Sequence, residues 1–129
     1  MTALPPSLDD IERLARQAWE ELPRGFRDLA GDVIFRVEDL ADDEVLADLE
    51  IEDPLALSGL YQGVDLTQRS IMDPASRAPM VFLYRRALLD EWIERADLPL
   101  AELVAHVLVH EIGHHFGLSD AAMDALLED

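Results

Sequence analysis

The sequence contains no cysteine and no lysine. The first absence excludes a disulfide framework, a thiol nucleophile and any zinc site built on thiolates. The second leaves arginine to supply all ten positive charges against 28 carboxylates, for a net charge of −18. A domain this anionic repels phosphate backbones, which sets nucleic acid aside as a partner. The charge favours solubility and can attract basic peptides. Long hydrophobic runs are missing too. The longest near-apolar stretch, 98–109, is interrupted by Glu102 and His106 and is too short to span a bilayer. The opening residues MTALPP lack the basic-then-apolar pattern of a signal peptide. The expected setting is therefore the cytoplasm, with no membrane partner. No internal repeat, low-complexity segment or linker divides the chain.

The 129 residues are 50% hydrophobic and 29% charged, a globular balance. A single domain spanning 1–129 is expected. Leu8, Ile11, Leu14, Ala15, Ala18, Trp19 and Leu22 recur at helical spacing, with Ser7 placed to cap the helix and Asp10 in its first turn. Pro23 and Gly25 are expected to end it. Residues 32–38 alternate as a strand, with Val33, Phe35 and Val37 on one face. Residues 38–53 hold nine acidic side chains and no basic one. They read as a solvated loop and short helix, with a surface for cationic partners as the functional alternative. A second strand is expected over 57–64, where glycines at 59 and 63 point to a bulge or a close backbone approach. A third, at 80–85 (MVFLYR), has the strongest strand composition in the chain. A short helix should follow over 87–95. A longer one should start at Asp97-Leu98-Pro99, with Asp97 as its cap, and stop at Gly117. A last helix is expected from Ser119. The predicted class is α+β: a small antiparallel or mixed sheet packed on helices.

All four histidines fall within VAHVLVHEIGHH, between residues 106 and 115. His110, Glu111 and His114 spell H-E-x-x-H. Positions four apart share a helix face, so both imidazoles can reach one metal ion. Glu111 lies about 100° round from His110, where a base can take a proton from an activated water. Gly117 and Asp120 extend the string to HEIGHHFGLSD. With both added, chance occurrence falls to about 10⁻⁴. A catalytic zinc takes three protein ligands and leaves one position open. Asp120 is within reach if the chain turns sharply after the helix, and Gly117 permits that turn. His106 shares a face with His110 but stands roughly 12 Å from His114. It reads as a packed core residue, with a rim role as the alternative. His115 reads as structural or exposed. Tyr61 and Tyr84 read as ordinary strand aromatics that could also donate a hydrogen bond to an oxyanion.

The motif over residues 110–120 resembles that of the zincin metallopeptidases. The GLYQG segment, the MVFLYRR strand and the short tail extend the likeness to the small bacterial zincin-like family, the minimal zincins. The resemblance implies a motif helix near the C-terminus, packed behind a small sheet whose edge strand borders the cleft. It implies that His110, His114 and Asp120 bind one Zn²⁺ per chain and that Glu111 is the general base; Asp120 stands where many zincins have histidine. The expected activity is zinc-dependent hydrolysis of a peptide or protein substrate, with a monomer as the working state. The substrate would lie along strand 57–64 or strand 80–85, the latter preferred. The alternative is a non-catalytic metal-binding or interaction domain on the same scaffold.

Overall fold

Ser7 opens the first helix in the way its spacing predicts. In the computed structural model, which describes residues 4–31, 33–63, 79–95 and 97–117, helix α1 spans Leu8–Glu21. The Asp10 backbone N–H donates to Ser7 Oγ at 3.1 Å, and the Ser7 N–H donates to the Asp10 carboxylate at 2.8 Å. This reciprocal capping box satisfies two otherwise orphaned donors. The Ser7 hydrogen bonds hold the Asp10 carboxyl below its ordinary value. Ile11, Ala15 and Ala18 are buried along one stripe. Pro23 follows the C-cap Leu22 and ends α1, as the sequence predicts, and it has a second role that its position does not announce. It serves as N-cap of a further short helix, α2 (Arg24–Leu29), because its fixed φ suits a helix start and its missing N–H costs nothing there.

Strands β1 (Ile34–Glu38), β2 (Gly59–Gln62) and β3 (Met80–Tyr84) form one mixed sheet in the order β1-β3-β2. β1 runs parallel to β3, with Ile34 opposite Met80, while β2 runs antiparallel, with Gly59 opposite Leu83. Between β1 and β2 come helix α3 (Asp43–Asp48) and a single 3₁₀ turn at Pro54–Ala56. Several acids of this stretch have local duties. Asp42 caps α3 by accepting from Val45 N–H, Asp53 accepts from Leu55 N–H, and Asp39 pairs with Arg85 at 3.0 Å.

The alternation along β3 divides the core. Val81 and Leu83 join Ile11, Val33, Val104 and Leu108 on one face of the sheet. Phe82 and Tyr84 pack on the other, with Ala41, Leu46 and Ala87. A strand buried on both faces needs the near-continuous apolar run that MVFLY supplies. This overturns the expectation that strand 80–85 borders a cleft. β3 is hydrogen-bonded on both sides, so the edges of this sheet are β1 and β2.

Helix α4 spans Arg85–Glu94 and helix α5 spans Leu100–His115. Asp97 does not cap α5. Pro99 is the N-cap residue and no side chain bonds to the exposed N–H groups; Glu102 in the first turn supplies the favourable negative charge. α5 packs against α1 on one side and against β2 and β3 on the other, burying Leu103, Val104, Leu108 and Ile112 completely. Phe116 follows, edge-on to Phe26 of α2 with ring centroids 4.8 Å apart. Gly117 takes φ +77°, the left-handed turn its position predicts. The expected helix from Ser119 lies outside the described residues. Among those residues no helix is long and apolar enough to cross a membrane.

Candidate metal centre

The last two turns of α5 carry His110, Glu111 and His114. One donor atom from each lies within 4.8 Å of the other two. The imidazoles of His110 and His114 meet edge to face, centroids 5.3 Å apart. His114 Nε2 is 4.0 Å from Glu111 Oε1. All three side chains are half-buried, enough to limit hydration while leaving a path from solvent. The donor set is chemically suited to a divalent transition ion. Two neutral imidazoles and a carboxylate are the ligand types that zinc accepts, and the same types serve iron, cobalt and nickel. The third ligand expected from the sequence, Asp120, lies outside the described residues.

β2 frames this centre at close range. A Cβ on Gly59 would stand 2.7 Å from Val107 Cγ1 and 3.1 Å from Glu111 Cγ. Only glycine lets the edge strand approach α5 so closely, which fulfils the reading of a close backbone approach at this position. Beside the contact opens a cavity of about 240 Å³, lined by Ser58 and Gly59 from the β2 side, His106, His110 and Glu111 from α5, and Glu91 from α4.

The sequence model of the zincin-like metallopeptidases matches residues 30–128. The chain belongs to this family. No curated protein matches the chain. The match covers β1 through the tail beyond α5 but not α1, although α1 packs directly on α5, which carries the motif.

The remaining candidate residues fall into place around the motif. His106 is exposed on the cavity rim, so its reading as a packed core residue is corrected. Its spacing of four from His110 puts it on the cleft face, and that face is open. His115, by contrast, is completely buried. It continues the stripe of Val104, Leu108 and Ile112 on the core side of α5. Its Nδ1 shares a 2.8 Å hydrogen bond with the Tyr61 hydroxyl, which ties edge strand β2 to the residue next to His114. Tyr84 is buried at the end of β3. Burial first, then the carboxylates of Glu38, Asp42 and Glu111, push its phenol up to about 12. Glu91 is not singled out by any motif. The available signal is its place three residues after the fully buried Leu88 and four after Ala87, which puts a carboxylate on the inward face of α4.

Proposed function

We propose that the protein is a zinc-dependent peptidase in which His110, His114 and Asp120 hold one Zn²⁺ and Glu111 is the general base. The observation that carries the reading is the convergence of His110, Glu111 and His114 beside an open cavity and an edge strand. The bound ion would supply Lewis-acid polarisation of the scissile carbonyl and lower the pKa of its water towards 7. Glu111 takes a proton from the attacking water and returns it to the leaving amine. The Glu111 side chain passes close to Gly59, where an added Cβ would stand 3.1 Å from its Cγ. The substrate backbone lies along β2, adding a strand to the sheet through main-chain hydrogen bonds. Gly59 and Ser58 then set its distance from Glu111.

Elemental mass spectrometry of untagged protein, with its His114→Ala and Asp120→Ala variants, tests the ligand set. About one zinc per chain in the parent and little in either variant is expected. Retention of zinc in Asp120→Ala would move the third ligand elsewhere. Glu111→Gln should keep the metal and lower peptide hydrolysis by about 10²–10⁴-fold. Undiminished turnover in that variant would reject Glu111 as the base.

A further inference from the structure

Two contacts seat β2 beside the end of α5. Gly59 brings the strand against Val107 and Glu111. Two residues on, and so on the same face of the strand, the Tyr61 hydroxyl shares a 2.8 Å hydrogen bond with His115 Nδ1. Two strand residues advance about 6.6 Å, and the four helix residues from Glu111 to His115 advance about 6 Å. The strand and the last turn of α5 therefore run in step, with His114 inside the interval. Gly63 guards the second contact, since a Cβ there would stand 2.9 Å from the Tyr61 hydroxyl. His115 is completely buried, where an imidazole costs more than a leucine unless it is hydrogen-bonded. The position asks for a bond rather than for bulk. The end of a helix also needs holding, because its last carbonyls lack intrahelical donors. Here the backbone closes with Phe116 N–H donating to the Gly113 carbonyl and Gly117 N–H to the His114 carbonyl, each at 3.0 Å. Beyond His114, Phe116 rests on Phe26 and His115 is bonded to Tyr61. β2 has a ladder partner on one side only among the described strands, so its contacts with α5 must fix the rest of its position.

We propose that the Tyr61–His115 hydrogen bond is a register lock, and that both are positioning residues holding the edge strand in step with Glu111 and His114. The inference deepens the peptidase reading and rests on it. Without the bond, β2 can shift along α5 and the last turn of the helix loosens. The first change moves a substrate strand paired to β2 relative to Glu111. The second moves His114 relative to His110, and with it the pair of imidazoles that a metal ion needs. The main-chain groups of β2 that would pair with substrate are unaltered. The loss therefore falls on kcat and on metal affinity rather than on KM. Tyr61 acts through His115 and not on the substrate, so removing either partner has the same consequence.

The test compares the full chain with Tyr61→Phe, His115→Leu, their double variant and His115→Asn. Zinc affinity is measured by competition with a chromogenic chelator, and kcat and KM on a fluorogenic peptide at saturating zinc. Tyr61→Phe and His115→Leu should each weaken zinc about tenfold and lower kcat about tenfold, with KM within about twofold of the parent. The double variant should be no worse than either single change, because both delete one bond. His115→Asn should recover most of the loss, since its Oδ1 is attached to Cγ as Nδ1 is and can accept from the Tyr61 hydroxyl. If His115→Leu fails to fold, Tyr61→Phe and His115→Asn carry the comparison. Parental zinc affinity and kcat in Tyr61→Phe, with only a lower urea midpoint, would overturn the proposal by making the bond purely structural. A kcat lost in Tyr61→Phe but kept in His115→Leu would overturn it by placing the hydroxyl on the substrate. If the parent cleaves no peptide, the peptidase reading fails and zinc affinity decides the lock. An equal, non-additive weakening in the two single variants would sustain it, and unchanged affinity would overturn it.

Discussion

Gly59→Ala adds one methyl group where the edge strand meets the motif helix, and the structure fixes what it strikes. The new Cβ would sit 2.7 Å from Val107 Cγ1, 3.1 Å from Glu111 Cγ and 3.3 Å from the Phe82 carbonyl oxygen. Carbon pairs settle at about 3.5–4.0 Å, so the closest contact is short by about 1 Å. Val107 cannot swing away easily. It is buried, and a β-branched side chain in a helix has essentially one χ1 well. The strand and helix must therefore part, at a cost of about 1–3 kcal/mol. Movement of Glu111 by a fraction of an ångström should lower kcat by about ten- to a hundredfold, since a misplacement near 1 Å is worth about 10². Urea unfolding, zinc content and peptide hydrolysis should report lost stability, retained metal and a reduced kcat. Val107→Ala in the same chain removes the struck methyl. The double variant should be less destabilised than the two single changes added together. An unchanged urea midpoint and rate in Gly59→Ala, or strict additivity in the double variant, would refute the reasoning.

Three further outcomes are expected. Tyr61→Phe deletes the hydroxyl that bonds buried His115 Nδ1 and should lower unfolding stability by about 1–3 kcal/mol in urea. Tyr84 ionises near 10 in an unfolded chain but at about 12 in the fold; the folded pKa is the higher, so its contribution is intact below pH 10 and disappears as pH rises towards 12. Urea midpoints measured across that window should fall less steeply in Tyr84→Phe. Ser7→Ala should cost about 0.5–2 kcal/mol through loss of the N-cap. Because the hydrogen bonds from Ser7 hold Asp10's carboxyl below its ordinary value of 3.8, the carboxylate half of the capping box stabilises above that pH and is lost on acidification below it. The difference between Ser7→Ala and the parent should therefore narrow in acid.

The elements most legible in the sequence are those whose information is local. The Ser7–Asp10 box, the stripe from Ile11 to Ala18 and the periodicity leading into His110 each declare a helix from neighbouring residues alone. Gly117 announces its own left-handed turn. Pro23 stops α1 as expected, but a proline that stops one helix also suits the start of the next, so α2 goes unannounced. The strand order is hidden because pairing is decided between segments far apart. Even so, two signals were in plain view. MVFLY has no polar face, as befits a strand with neighbours on both sides. GLYQ mixes glycine and a polar residue, as befits an edge. His106 and His115 show the same division at the centre. Helical spacing places one on the open face with His110 and the other on the buried stripe with Ile112, but the burial of each face is decided by β2 and α1, which lie elsewhere in the chain.

The middle strand of the sheet is also the last to be synthesised. Among the described residues β1 and β2 do not pair with each other; the ladder partner of each is β3. Of the described strands, a nascent chain that has emerged only as far as residue 79 therefore has the two outer ones without the one that pairs with both. The edge that frames the cleft acquires its position only when Met80–Tyr84 docks between its partners. α5 follows β3 in the chain, so the histidines and the strand that borders them come together at the end of assembly. Pairings as remote as Ile34 with Met80 carry a large loop-closure cost before any contact offsets it, and that slows folding. The site is consequently complete only when β3 and α5 are both in place, and a chain cut short of them has the outer strands without the piece that joins them.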